Sequence, residues 1–315
     1  MAKNITQFQK GLSLSKFLAE FGSEEQCYQV LFRFRWPRGF ACPACGHSLY
    51  SLIRTRNVLQ CRKCRKQTSL ISGTIFASTK LPLTVWFLAI YFMTQSKDGI
   101  SSLNLARTIG VSANTALSVK HKLQQTMKNR DDSQPLKDLI LIDDAYWGGK
   151  KHDGKRGRGA SGKTPFLASL SLTEKGRPLK MRLSRIRNFS KLEVAFWSKK
   201  HINPGSLVVS DGLKCFPGVI DANCQHEAIV TYSDAGYDEY GVFRWLNVMI
   251  GNVKNSLHGT YHKVSEKHLP RYLAEFCYRF NRRFELDKMV SRLAYIAMRT
   301  APIPIRILKL AEVHW

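Results

Sequence analysis

Hydrophobic positions recur at helical spacing in residues 12–36 and 82–127 and at mixed strand and helix spacing beyond about residue 136. In residues 12–36, Phe17, Leu18, Phe21, Tyr28, Leu31, Phe32 and Phe34 mark two short helices. Ser23 followed by Gln26 reads as a capping box that starts the second one. Residues 82–96 predict a buried helix, with Pro82 near its start where a missing N–H costs nothing. Residues 100–127 have a helix-turn-helix pattern. Leu103, Leu105 and Ile109 would supply the first helix's core, Gly110 the turn and Ser112 the cap of the second helix. Asn114, Thr115, Lys120 and His121 are then expected on exposed faces.

The polar stretch Arg130–Pro135 predicts a domain boundary. Leu139–Ile142 follows as a buried strand expected to end at Asp143 and Asp144, after which Gly148 and Gly149 release the chain. Phe166–Leu172 and Leu179–Leu183 are short strand-like runs joined by a turn at Gly176, and Lys191–His201 reads as a helix. Leu207–Ser210 is a second buried strand ending on an acid, Asp211, and Glu227–Tyr232 reads as a further strand. Val242–His258 is amphipathic, with Val242, Leu246, Met249, Val253 and Leu257 as its apolar stripe and Asn247 and Lys254 two turns apart on one flank. A last helix at about His268–Arg283 would bury Leu269, Tyr272, Leu273, Phe276 and Phe280 and turn Arg279, Arg282 and Arg283 outward.

Charge changes the picture. The 315 residues hold 49 Lys and Arg against 23 Asp and Glu, a net +26 spread along the whole chain. That distribution points to a polyanion held along an extended surface. No apolar run is long enough to span a bilayer and no signal peptide is evident, so a membrane partner is not expected and a soluble intracellular protein is. The loop Gly148–Thr164 concentrates Lys150, Lys151, Lys155, Arg156, Arg158 and Lys163 among glycines. Such a loop cannot pack a core and is suited to lie along a phosphate backbone.

Four of the eight cysteines form two CxxC pairs, Cys42 with Cys45 and Cys61 with Cys64. Four thiolates make a tetrahedral Zn²⁺ site with no open position, so the metal's role would be to fold the module. Gly46 suits the left-handed turn of the first knuckle, and His47–Gln60 is long enough for a hairpin between them. Arg62, Lys63, Arg65 and Lys66 around the second knuckle are placed to meet phosphate. Cys27, Cys215, Cys224 and Cys277 lack ligand spacing and read as buried thiols.

An acid on the first strand, another on the fourth and a ligand on a late helix form an RNase H-like arrangement of Asp143, Asp211 and Asn247. Two metals held by such ligands, Mg²⁺ or Mn²⁺, can activate a nucleophile for phosphodiester transfer. His226, His258, His262 and Glu239 are weaker ligand candidates. The fold class expected is therefore α/β: an RNase H-like catalytic core preceded by a small zinc ribbon and a helix-turn-helix. The segments would be an N-terminal helical stretch (1–40), the ribbon (41–72), a helix-turn-helix DNA-binding region (80–130), the catalytic domain (136–300) and a tail (301–315).

The segments WPRGFACPACG with CRKC, IDDAYWGGK, VVSDGLKCF and WLNVMIGNVKNSLHGTYHKVSEKHLPRYLAEFCYRFNRRF carry a resemblance. Over residues 25–300 the chain resembles DDE-superfamily insertion-sequence transposases, of the ISXO-like group with an N-terminal zinc ribbon. The resemblance implies catalytic acids at Asp143 and Asp211, Asn at Asn247 in place of the more usual Glu, and a DNA-contacting Lys at Lys254. Asp143 is preferred to Asp144 because the group places an acidic neighbour directly after its first catalytic Asp; Asp144 stays open as the alternative. The implied reaction is metal-dependent cleavage and strand transfer on double-stranded DNA, at the terminal repeats and the target. A homo-oligomeric synaptic complex and a bacterial, cytoplasmic, nucleoid-associated location are implied with it. A DNA-binding regulator, or a domesticated transposase with an inactive core, is the alternative activity, and a structure-specific nuclease on the same fold is a second rival.

Overall fold

The computed structural model describes residues 10–148, 162–229, 241–261 and 264–310. They form two compact units: the first takes the described residues up to Thr126 together with Arg282–Leu310, and the second runs from Met127 to Asn281. Among the described residues no helix is long and apolar enough to cross a membrane.

The first unit opens with α1 (Leu14–Phe21), capped by Ser13, and α2 (Glu24–Arg35), where Ser23 and Gln26 form the reciprocal capping box. Acids in the first turn of α2 and arginines in its last complement the helix dipole. The ribbon follows as an antiparallel sheet of β1 (Tyr50–Ile53), β2 (Val58–Cys61) and β3 (Gln67–Ser69), ordered β1-β2-β3. The expected hairpin is present, and β3 adds a strand that its three residues were too short to announce. Helix α3 (Leu83–Gln95) is largely buried; Pro82 offers it no side-chain cap, and the Glu24 carboxylate accepts from the N–H groups of Leu83 (2.9 Å) and Thr84 (3.1 Å) instead.

The helix-turn-helix pattern forms as α4 (Ser102–Ile109) and α5 (Ala113–Asp132), with Gly110 left-handed between them and the Ser112 hydroxyl accepting from Thr115 N–H. Its faces differ from expectation at three positions. Leu103 is 59% exposed, and the core of α4 comes from Leu105, Ala106 and Ile109. Lys120 is fully buried, its ammonium donating to the Ile100 carbonyl, and His121 is buried beside it. The reason is register: the buried stripe of α5 runs Ala116, Val119, Leu123, Met127, and Lys120 falls inside it. Asn114 is exposed and Thr115 half-buried, at the start of the helix. The chain returns to this unit with α9 (Met289–Ala297), packed on α2 and α3, and its described residues end there with the short α10 (Ile305–Leu310).

The second unit is built on five strands, β4 (Leu139–Trp147), β5 (Thr164–Leu172), β6 (Pro178–Arg185), β7 (Leu207–Ser210) and β8 (Gln225–Ala228). Their order is β6-β5-β4-β7-β8; β4, β5 and β6 are antiparallel, and β7 and β8 run parallel to β4. A three-stranded meander followed by parallel strands on the far side of its first strand is the RNase H-like sheet. Helix α6 (Lys191–His201) and a 3-10 helix (Phe216–Ala222) cover one face, where Ile140, Ile142, Leu167 and Val208 meet Val194, Trp197, Phe216 and Val219. Helices α7 (Arg244–Tyr261) and α8 (Leu269–Asn281) cover the other, where Leu141, Ala145, Trp147, Phe166 and Val209 meet Leu246, Val253, Leu257, Leu269 and Leu273.

Two expectations about this unit need correction. The first strand does not end at the acids: Asp143 pairs with Ala168 and Asp144 with Leu167, because β5 continues to zip against β4 as far as Trp147. Arg279 does not turn outward; it is buried, with its guanidinium on Glu275 at 2.6 Å, while Tyr261 donates to the same carboxylate at 3.2 Å. A buried carboxylate needs such partners, and these tie the end of α7 to α8. At the sheet edge the Asn281 amide accepts from Met181 N–H (2.7 Å) and donates to Met181 C=O (3.0 Å), serving β6 as one rung of a missing strand.

Candidate active site and metal centres

The ribbon site is built by two knuckles with the same local geometry. Cys42 C=O accepts from Gly46 N–H (2.9 Å) and Cys61 C=O from Arg65 N–H (3.1 Å), folding each CxxC into a tight turn. The residue closing each turn is left-handed, Gly46 at φ 71° and Arg65 at φ 61°. Glycine holds that conformation without strain, while Arg65 holds it at a cost the knuckle must offset. The Sγ atoms of Cys42 and Cys64 are 3.5 Å apart, and those of Cys45 and Cys61 are 3.6 Å apart. A tetrahedron with Zn–S bonds of about 2.3 Å has sulfurs about 3.8 Å apart, so the four thiols fit zinc as they stand. The four other cysteines are buried, as their lack of ligand spacing implied.

The second cluster lies where the central sheet changes its neighbours. Parallel pairing of β4 with β7 stops at Ile142 opposite Ser210, while β4 runs on to Trp147. Asp143 and Asp144 stand on β4 just beyond that step, and Asp211 is the first residue past the C-terminal end of β7. Ligand positions in open α/β sheets lie at such strand ends. One carboxylate oxygen from each of Asp143, Asp144 and Asp211 falls within 4.8 Å of the others, and all three residues are half-buried. Asp143 Oδ1 accepts from Asp144 N–H at 2.7 Å, and Asp211 Oδ1 accepts from Leu213 N–H at 3.1 Å. Each of these two acids is thereby oriented by backbone. An all-oxygen, anionic donor set fits a hard divalent cation such as Mg²⁺ or Mn²⁺.

Strand alternation separates the two neighbouring acids. Leu141, Ala145 and Trp147 pack on the α7 side, so Asp143 belongs to that face; Ile140 and Ile142 pack on the α6 side, which Asp144 shares by position. Helix α7 is fixed to the Asp143 face by Leu246 and Val253, and Asn247 and Lys254 each follow one of these core residues. Asn247 is exposed and Lys254 half-buried. The sequence had offered Asp144 only as a substitute for Asp143; the geometry brings both to Asp211 together. The adjacent acids were the available signal, but the resemblance assigned only one of them.

The histidines have other partners. His226 Nε2 pairs with the Ser210 hydroxyl at 2.9 Å, one residue before Asp211, and burial lowers the histidine's affinity for a proton. The His258 ring lies against Trp147, with centroids 4.5 Å apart, and Trp147 donates to the Val264 carbonyl at 3.2 Å. Gly148 ends β4 at φ 144°, where an added Cβ would sit 2.8 Å from the Gly162 carbonyl, so only glycine lets the two chain ends of the basic loop approach so closely. Lys150, Lys151, Lys155, Arg156 and Arg158 in that loop lie outside the described residues, as do Glu239 and His262.

Comparison with known proteins agrees with this geometry. Residues 135–281 match the model of the ISXO2-like transposase domain, and residues 22–67 match the transposase zinc-ribbon domain. Over 130 residues, 40% of this chain, it is 28% identical to an uncharacterized protein in transposable element ISH50 of Halobacterium salinarum. That match spans 42% of the relative's length. Among solved structures, the Mos1 mariner paired end complex with Mn is 12% identical over 59% of this chain and 74% of that one, with a TM-score of 0.21. The Mos1 transposase paired-end complex with left transposon end is 11% identical over 63% and 77%, at 0.22. A zinc ribbon with four clustered thiols precedes an RNase H-like domain with clustered acids, and the chain carries an ISXO2-like transposase domain behind a transposase zinc ribbon.

Proposed function

We propose that this chain cuts DNA at the ends of its own insertion sequence and joins the freed 3′ ends to target DNA. The observation that carries this reading is the carboxylate cluster of Asp143, Asp144 and Asp211 at the step in the sheet, inside the matched transposase domain. Divalent ions held there would activate a water or a 3′-hydroxyl and neutralise charge on the leaving oxygen. Asp143 and Asp211 act as the principal ligands, because Asp143 on the α7 side of β4 lies beside Asp211, which directly follows the end of the neighbouring β7. Asn247 presents an amide oxygen from α7, a neutral ligand that cannot serve as a base. Lys254, seven residues on, steadies the phosphate next to the scissile bond. The zinc ribbon and the start of α5, with Asn114 and Thr115, read or grip the element ends. The basic loop holding Lys150, Lys151, Lys155, Arg156 and Arg158 follows the backbone of the same DNA. Two ends must be held for joining, so the working form is a homo-oligomer on DNA.

The test is a cleavage and strand-transfer assay on labelled element-end DNA with Mg²⁺ or Mn²⁺, comparing the wild type with Asp211→Ala and Asn247→Ala. Joined products that need metal and vanish in both variants are expected. Binding without cleavage in the wild type would move the chain to the regulator reading, with the neutral Asn247 as the lesion.

A further inference from the structure

The acid that DDE sites place on the late helix is an amide here, so a metal centre built from Asp143, Asp211 and Asn247 has only two negative charges. The structure supplies a third within reach. Asp144 belongs by alternation to the opposite face of β4 from Asp143, yet one of its carboxylate oxygens lies within 4.8 Å of ligand oxygens of both Asp143 and Asp211. This is possible because β7 stops at Ser210, opposite Ile142, so among the described residues no strand walls off the β7 side of β4 beyond that point. A side chain on either face can then turn over the open edge. The hydrogen bond from Asp144 N–H to Asp143 Oδ1 at 2.7 Å orients the Asp143 carboxylate beside it. Donor oxygens on an octahedral Mg²⁺ or Mn²⁺ are about 3.0 Å apart when adjacent and about 4.2 Å when opposite, so the three carboxylates reach one ion by turning inward from their present spacing. Three half-buried carboxylates this close repel one another strongly, and a divalent cation removes that repulsion.

We infer that Asp144 is a metal ligand in its own right, supplying from β4 the carboxylate that position 247 lacks. This rests on the metal-dependent reading above and deepens it. The centre keeps three anionic ligands, but two come from consecutive residues of one strand and none from the helix. Asn247 is then free to vary in charge without emptying the site.

The test is Mn²⁺ binding to the zinc-loaded full-length protein, with free Mn²⁺ followed by its electron paramagnetic resonance signal. Asp143→Asn and Asp211→Asn define what loss of the centre looks like. Asp144→Asn, nearly isosteric, is expected to weaken Mn²⁺ binding by about tenfold or more, on the scale of losing one anionic ligand. Asn247→Glu placed in the Asp144→Asn background is expected to restore it. Thermal unfolding run beside each titration identifies any variant that has simply lost its fold, and the double variant is read as a restoration, which misfolding cannot produce. Wild-type Mn²⁺ affinity in Asp144→Asn, with binding lost in Asp143→Asn and Asp211→Asn, would overturn the inference and leave the proposed function standing. Weak binding that Asn247→Glu fails to restore would also overturn it. Unchanged binding in all three Asp variants would remove the metal-dependent reading itself.

Discussion

Lys120 shows how one residue's chemistry depends on where its helix turns. In a chain of net +26, a lysine on the second helix of a helix-turn-helix reads as a phosphate contact. It is instead fully buried, with its ammonium on the Ile100 carbonyl. Lys120→Ala should therefore act on stability: it opens a cavity and orphans a carbonyl, at a cost of about 2–4 kcal/mol. Denaturant unfolding checks this, and the salt dependence of DNA binding should stay as in the wild type. A shallower salt slope with unchanged stability would return Lys120 to the DNA surface. Asp144 makes the converse point. Its position on the strand assigns it away from the face that Asp143 shares, and only the early end of a neighbouring strand brings it back to Asp211.

At the scale of elements, the ribbon and α3 each depend on a group supplied from elsewhere in sequence. The three ribbon strands have three or four residues each, too few to bury a core, and four thiols take the place of one. Chelation of zinc, or Cys61→Ser, should unfold residues 42–69 while leaving the RNase H-like sheet intact. Amide hydrogen exchange would resolve the two, and protection of the ribbon amides without metal would count against a folding role for zinc. Helix α3 begins at Pro82 without a side-chain cap of its own and borrows the Glu24 carboxylate, which also provides an acid for the first turn of α2. Glu24→Ala should cost about 1 kcal/mol or more, measured by thermal unfolding, because two helix starts lose the same acid.

At the scale of the whole molecule, the second unit is sensitive to acid. His201, at the end of α6, is buried, and its Nδ1 has no hydrogen-bond partner among the described residues. Burial, reinforced by Arg182, lowers its proton affinity from an ordinary 6.5 to about 3. Between those values the unfolded chain binds a proton that the native chain refuses, so stability rises with pH and is lost as pH falls from 6.5 towards 3. Asp132, which burial alone would raise, is held below its ordinary value by Lys128 and Arg182, and its contribution fades further down in acid. Unfolding measured from about pH 7 to pH 4 should show a steep loss, on the order of a few kcal/mol, that flattens in His201→Gln. An equally steep loss in the variant would place the acid sensitivity elsewhere.

The sequence alone determined whatever is local or periodic. The two CxxC pairs announced a metal module, Ser23 with Gln26 announced a helix start, and Lys191–His201 was legible to the residue because its cap and its ends are local. The acids at 143 and 211 were legible because polar residues directly after apolar runs stand out. Tertiary structure decided the rest. It extended β4 past the acids, because strand length depends on what β5 offers opposite. It buried Lys120, His121 and Arg279, because burial is set by partners distant in sequence. It also brought Asp144 to Asp211, because a ligand set depends on where neighbouring strands stop, and no pattern along one strand records the end of another.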